Sequence, residues 1–141
     1  MIDKIIRKIN EAADLDVLNE LVVVINVMIS LHEIGKNEGL LALEEALYKP
    51  NIKSLECYDF LEEAVMMIVD GFDPIEVDEC LHYLMHSSAK EEEDYLIYHI
   101  ISTSVLKIQK GCNTRILKKS LVSHISFDNR KLVRSPLFIE R

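Results

Sequence analysis

The chain has 141 residues, of which 49% are hydrophobic. This length and composition predict a single domain with a hydrophobic core. Its three cysteines are odd in number and widely spaced, which predicts free thiols in a reducing compartment. No uninterrupted apolar run approaches the roughly 20 residues of a membrane-spanning helix, and no signal peptide is recognised at the start. Composition therefore predicts a cytoplasmic globular protein without a membrane span.

The net charge of −8 is divided unevenly along the chain. Residues 1–94 hold 7 Lys/Arg and 22 Asp/Glu, whereas residues 95–141 hold 9 Lys/Arg and 2 Asp/Glu. Either the acidic part docks against the basic part, or the basic surface is kept for a partner. The basic part lacks interleaved glycine and aromatic residues and any motif that reads nucleic acid, so we expect no nucleic-acid partner.

Two helices are predicted in the first third of the chain. Residues 2–13 have the period of a short amphipathic helix. The second helix carries apolar residues at helical spacing from Leu18 to Ile29, with Asp14 or Asp16 as its N-cap. These apolar residues cover more than one side of the helix, so we expect it to be buried.

This second helix is expected to continue through Gly39 with a bend. Beyond the glycine, Leu40, Leu43 and Leu47 recur at spacings of three and four, so they share one face. Residues 48–51 stop the helix, because the residue before a proline disfavours the helical conformation.

Two more helices are predicted on either side of Gly71. Ser54 is the expected N-cap of a helix over residues 55–69, and Gly71 ends that helix at a positive φ. Asp73 then suits the N-cap of the next helix and Pro74 its first position.

The last long helix is predicted over residues 91–110. Gly111 ends it, and Asn113 is the candidate N-cap of a short helix over residues 114–125. We therefore predict an all-α, compact, single-domain bundle of about five to six helices. Residues 1–125 form this domain, and the remaining residues, 126–141, form a tail that is either mobile or lies across the body.

Catalytic and metal-binding candidates are few. His82 and His86 lie four residues apart, with Asp78 another four residues before them, which is metal-ligand spacing. No His-Glu-x-x-His pattern accompanies them, so we interpret them as surface or half-buried histidines and expect no metal and no cofactor. No Ser/His/Asp or Cys/His constellation can be picked out by spacing. We predict no catalytic residue and no enzyme activity.

Three stretches carry a resemblance to a known family. They are Lys-Asn-Glu-Gly-Leu-Leu-Ala-Leu-Glu at residues 36–44, Ile-Val-Asp-Gly-Phe-Asp-Pro-Ile-Glu-Val at residues 68–77, and Ile-Gln-Lys-Gly-Cys-Asn-Thr-Arg-Ile-Leu at residues 108–117. In this order they resemble the cytoplasmic parts of MotA-type flagellar stator subunits, of the MotA/TolQ/ExbB proton-channel family. Thr114 stands where that family usually has a proline.

The resemblance implies a function in protein–protein contact. The family's pore-lining helices would lie between residues 85 and 97, where this chain has only about a dozen residues, so no ion channel is implied. In the family, a basic residue and a glutamate of the first stretch contact charged residues of the rotor switch protein. The matching positions are Lys36 and Glu44, and Glu45 lies beside them. The implied function is an accessory or regulatory partner of a flagellar rotor or stator component.

Two other functions remain open on the sequence. One is a stand-alone helical module that dimerises and has no motor role. The other is a small helical regulator that binds a metal or ligand through His82 and His86.

Overall fold

The computed structural model describes residues 1–139, which form nine α-helices and one short 3-10 turn. The helices are α1 (Ile2–Ala12), α2 (Leu15–Glu38), α3 (Ala42–Ala46), α4 (Pro50–Lys53), α5 (Tyr58–Val69), α6 (Pro74–Ser88), α7 (Glu92–Lys110), α8 (Thr114–Val122) and α9 (Phe127–Val133), with the 3-10 turn at Pro136–Phe138. The described part of the chain contains no β-strand. The prediction of an all-α fold is confirmed.

Helix α7 organises the bundle. It packs against α1, α2, α5, α6 and α8. Its buried apolar side chains are Leu96, Ile97, Ile100, Ile101, Val105 and Ile108. Buried apolar residues from α1 to α8 join them in one contiguous core. The last third of the chain therefore supplies the central element against which the first two thirds pack.

Helix α2 is apolar, and its buried residues belong to the core. By length and composition alone, this helix of 24 residues is apolar enough to cross a membrane. Polar residues interrupt its apolar runs, so no single run reaches that length. Half of its most apolar window is buried inside the protein. Leu21, Ile25 and Met28 are completely covered by neighbouring helices. Packing against other helices thus accounts for the buried half of this apolar window.

The bundle has more helices than the five to six predicted. Helix α2 does not bend through Gly39 but ends one residue before it, where the backbone turns to φ 93, a value that favours glycine. Helices α3 and α4 then follow, with five and four residues. Helices this short span too few turns for the apolar period to define them as separate elements, and the same holds for α9, which has seven residues. The error in the helix count comes from these short elements.

Most of the predicted N-caps are confirmed. The side-chain oxygens of Asp14, Asp73 and Asn113 accept hydrogen bonds from backbone N–H groups in the first turns of α2, α6 and α8. The prediction for Ser54 is wrong. Its backbone N–H donates to the carbonyl oxygen of Pro50 and ends α4, so α5 begins only at Tyr58.

The segment predicted as a tail lies on the body of the protein as far as it is described. Asn129 of α9 is buried, and its side-chain amide donates to the backbone carbonyl of Asn10 at 2.9 Å. Leu137 of the 3-10 turn is buried as well. The last two positions of the predicted tail, 140 and 141, lie outside the described residues.

Gly71 provides a test of the turn between α5 and α6. Its φ is +81°, and no atom lies within 4 Å of the place where a Cβ would stand. Gly71→Ala should therefore lower the free energy of unfolding by about 1 kcal/mol through backbone conformation alone. Gly35→Ala is the control, because its Cβ would meet Ile108, Leu40 and Leu43 at an ordinary 3.7 Å inside a helix. For Gly35→Ala we expect the free energy of unfolding to stay unchanged or to rise by up to about 1 kcal/mol. Equal changes in the free energy of unfolding for Gly71→Ala and Gly35→Ala, measured with urea, would contradict the positive φ of Gly71.

Candidate partner-binding surface

The three residues predicted to bind a partner are all exposed. Lys36 lies in the last turn of α2, whereas Glu44 and Glu45 lie on α3, beyond the break at Gly39. None of the three forms an ion pair with another described residue. Their charges are therefore accessible to a partner, although they do not lie on the single continuous helix that the sequence suggested.

Two large apolar side chains flank the glutamates. Leu41 is 77% exposed and Tyr48 is 59% exposed. Positions 44 and 45 each lie three or four residues from both 41 and 48, so in this helical segment the four residues share one side. On the other side, Leu43, Ala46 and Leu47 are buried in the core. We call the exposed side, formed by Leu41, Glu44, Glu45 and Tyr48, the 41–48 face.

The 41–48 face borders a concave surface. The ammonium group of Lys53 lies 5.5 Å from the centroid of the Tyr48 ring, a cation–π distance that favours one ring position. A cleft of about 350 Å³ runs beside the face, lined by Ile34, Glu38, Ala42, Glu45, Ala46, Tyr48 and Lys49. The surface therefore combines protruding apolar groups with a recess that accepts a side chain.

Buried His32 ties α2 to the turn between α7 and α8. Its Nε2 makes a hydrogen bond with the carbonyl oxygen of Cys112, and its Nδ1 with the hydroxyl of Thr114 at 3.2 Å. A carbonyl oxygen can only accept, so Nε2 donates to it, and in the neutral imidazole Nδ1 is then the acceptor for the hydroxyl of Thr114. No sequence pattern singles out His32, because it sits within the apolar stripe of α2. Its partners are 80 and 82 residues away.

The three stretches that carry the resemblance meet around the C-terminal end of α7. Side chains from the first and third stretches, Leu43 and Ile108, both lie 3.7 Å from the Cβ position of Gly35. The second stretch joins them through Phe72, whose carbonyl oxygen accepts a hydrogen bond from the Gln109 side chain at 2.6 Å. Stretches that are far apart in sequence thus form one region of the structure.

The His82–His86 pair and the Cys57 thiol are further groups that could carry chemistry. The rings of His82 and His86 lie 4.6 Å apart, and His86 also contacts Tyr95. Within residues 1–139, no group of three or more His, Cys, Asp or Glu side chains could hold a metal ion. Burial raises the pKa of the Cys57 thiol to about 11, so this thiol stays protonated at neutral pH and is a poor nucleophile.

Carboxylates at the start of α7 make stability depend on pH. The pKa of Glu93 is raised to about 7, first by a hydrogen bond with Glu91, then by burial and by the charges of Glu91, Glu20 and Asp94. The native state therefore binds more protons than the unfolded chain between the ordinary pKa of 4.5 and about 7. The stability from this group is fully present below that interval and is lost as the pH rises through it.

Glu93→Gln should remove the loss of stability that accompanies ionisation of Glu93, because glutamine keeps the shape of the side chain without ionising. We expect the stability of the variant relative to the wild type to rise between about pH 5 and pH 8. Urea unfolding of both proteins across this range measures the difference. A difference that does not change with pH would contradict the raised pKa of Glu93.

No family model, no curated protein and no solved structure matches this chain. The likeness to stator subunits therefore depends on the three stretches alone.

Proposed function

We propose that the protein is a non-enzymatic protein–protein interaction module that docks through the 41–48 face. The observation that carries the proposal is the exposure of Leu41 and Tyr48 on either side of two glutamates that form no ion pair within residues 1–139. A tyrosine beside a second apolar anchor, bordered by charged groups, has the composition of an interface hot spot with its polar rim. The buried opposite side of the segment holds these anchors in place.

Charge complementarity indicates the kind of partner. The partner presents an apolar cleft that receives Leu41 or Tyr48, bordered by Lys or Arg side chains that meet Glu44 and Glu45. An acidic group on the partner meets Lys36. A flagellar rotor or stator component is the partner that the resemblance implies, and the chain would act on it in the cytoplasm as an accessory or regulatory subunit. The meeting of the three stretches in one region supports this part of the proposal.

Self-association is the second candidate, and a different surface favours it. Phe72, Ile75 and Tyr83 are 44%, 77% and 65% exposed on α6 and the turn before it. Phe72 and Tyr83 also line an apolar cleft of about 590 Å³ between α5 and α6. A homo-oligomer would bury this surface. Sedimentation equilibrium of the wild type and of Ile75→Ser/Tyr83→Ser would show such an oligomer and its loss.

Paired variants separate the two surfaces in a binding experiment. Leu41→Ser/Tyr48→Ser should reduce capture of the partner from extracts of the host cell by about tenfold or more, since both anchors are lost. Ile75→Ser/Tyr83→Ser is the matched control, because it removes side chains of similar type and exposure. This control should capture the partner as the wild type does.

The captured proteins are then identified by mass spectrometry. A rotor or stator component lost only in the first variant supports the motor role, and another protein lost in the same way leaves docking intact but removes the motor role. Equal capture by the wild type and by Leu41→Ser/Tyr48→Ser would contradict the proposal.

A further inference from the structure

A groove of about 450 Å³ lies between α8 and the C-terminal 3-10 turn, and it shares no residue with the 41–48 face. Val122 and Leu137, both buried, contribute apolar surface to its lining, and Phe138 contributes an aromatic ring. This volume is in the range of small-molecule binding sites, roughly 300–1,000 Å³. The groove is therefore large enough for a ligand with an apolar body.

The charged side chains that line this groove are all basic among residues 1–139. Its lining contains two lysines, two arginines and no carboxylate from the described chain, although the whole protein has a net charge of −8. Arg115 and Lys118 form no ion pair with any residue up to position 139. An anion that enters the groove thus meets the positive charges of Arg115 and Lys118, which no carboxylate within residues 1–139 neutralises.

Arg130 is held in place as a fixed positive charge. Its Nε donates to the carbonyl oxygen of Ile125 at 2.9 Å, and an Nη donates to that of Val122 at 2.8 Å. Its guanidinium lies 5.8 Å from the ring centroid of Phe138 and 5.2 Å from that of Phe127. These partners are uncharged, so they position the guanidinium without cancelling its charge.

We propose that this groove binds an amphiphilic carboxylate, such as a fatty acid. The apolar wall of Val122, Leu137 and Phe138 takes the alkyl chain, and Arg115 and Lys118 bind the acidic head. A compact polyanion such as a nucleotide fits less well, because the apolar wall offers no hydrogen-bonding partners for a base. The one hydroxyl in the lining, that of Thr114, already bonds to His32.

Calorimetric titration with dodecanoate, below its micelle-forming concentration, tests the proposal. The wild type should bind about one molecule saturably, and Arg115→Gln/Lys118→Gln should weaken binding by about tenfold or more. The control is Lys131→Gln/Arg134→Gln, which removes two exposed positive charges outside the lining. It should bind dodecanoate as the wild type does. Circular dichroism confirms that each variant is folded.

Two further probes distinguish a free amphiphilic carboxylate from a cationic amphiphile and from a membrane surface. Dodecyltrimethylammonium has the same alkyl chain with a positive head and should not bind. Vesicles of phosphatidylglycerol present anionic heads on a membrane surface, and binding to them without binding to free dodecanoate would overturn the proposal. So would absence of saturable dodecanoate binding, or equal weakening in both double variants. None of these results affects the 41–48 face, whose test uses other residues.

Discussion

Replacing His32 with alanine is expected to lower the free energy of unfolding by about 3 kcal/mol. The side chain is only 2% exposed, so its removal leaves a cavity in the core. It also leaves the carbonyl oxygen of Cys112 and the hydroxyl of Thr114 without their hydrogen-bond partner, which adds a desolvation cost. Urea unfolding at neutral pH measures the effect.

Thr114→Val separates the hydrogen bond from the packing. Valine keeps the shape of threonine and removes only the bond to Nδ1, so the expected loss is about 1 kcal/mol. In the background of His32→Ala, the same change should have little effect, because its partner is already absent. If the two single losses were simply additive, His32 would not act through Thr114.

The second large effect is expected at Asn10, which joins α1 to the turn between α8 and α9. Its amide nitrogen donates to the carbonyl oxygens of Ile6 at 2.8 Å and of His124 at 2.9 Å, and its oxygen accepts from the backbone N–H of Ser126 at 2.8 Å. Asn10→Asp places a carboxylate oxygen against the two carbonyl oxygens. We expect a loss of about 2–3 kcal/mol at neutral pH.

The pH dependence distinguishes this mechanism from general disruption. A protonated carboxyl group can again donate one hydrogen bond, so the loss in Asn10→Asp should shrink at low pH. Asn37→Asp serves as the control, because Asn37 is exposed and should change stability by less than about 0.5 kcal/mol. If Asn10→Asp lowered the free energy of unfolding equally at neutral and acidic pH, loss of the Asn10 amide as a hydrogen-bond donor would not explain the effect.

Local signals in the sequence predicted the starts of α2, α6 and α8. Asp14, Asp73 and Asn113 cap helices through groups two or three residues away, so the information is contained in a short window. Gly39 was harder to interpret, because a glycine inside an apolar pattern is compatible with both a bend and a helix end. Because Gly39 has a φ of 93°, helix α2 ends before it, and the residues beyond it form the separate short helix α3.

The proposed docking surface was predictable only in part. The stripe of Leu40, Leu43 and Leu47 identified the inner side of α3, since Leu43 and Leu47 are buried and Leu40 is partly buried. The same pattern placed Leu41 outside, a signal that the sequence contained and that the prediction did not use. Apolar spacing could not predict the contact between His32 and Thr114, because the two residues are polar and lie 82 positions apart in the sequence.

Site-specific photocrosslinking tests the docking role of the 41–48 face most directly. A photoreactive benzoylphenylalanine is placed at position 41 in one variant and at position 75 in another, two positions with the same exposure of 77%. In host cells, position 41 should give a discrete crosslinked product with a second protein, and position 75 should not give that product. Crosslinks to the same protein from position 75 but not from position 41 would contradict the proposed docking surface.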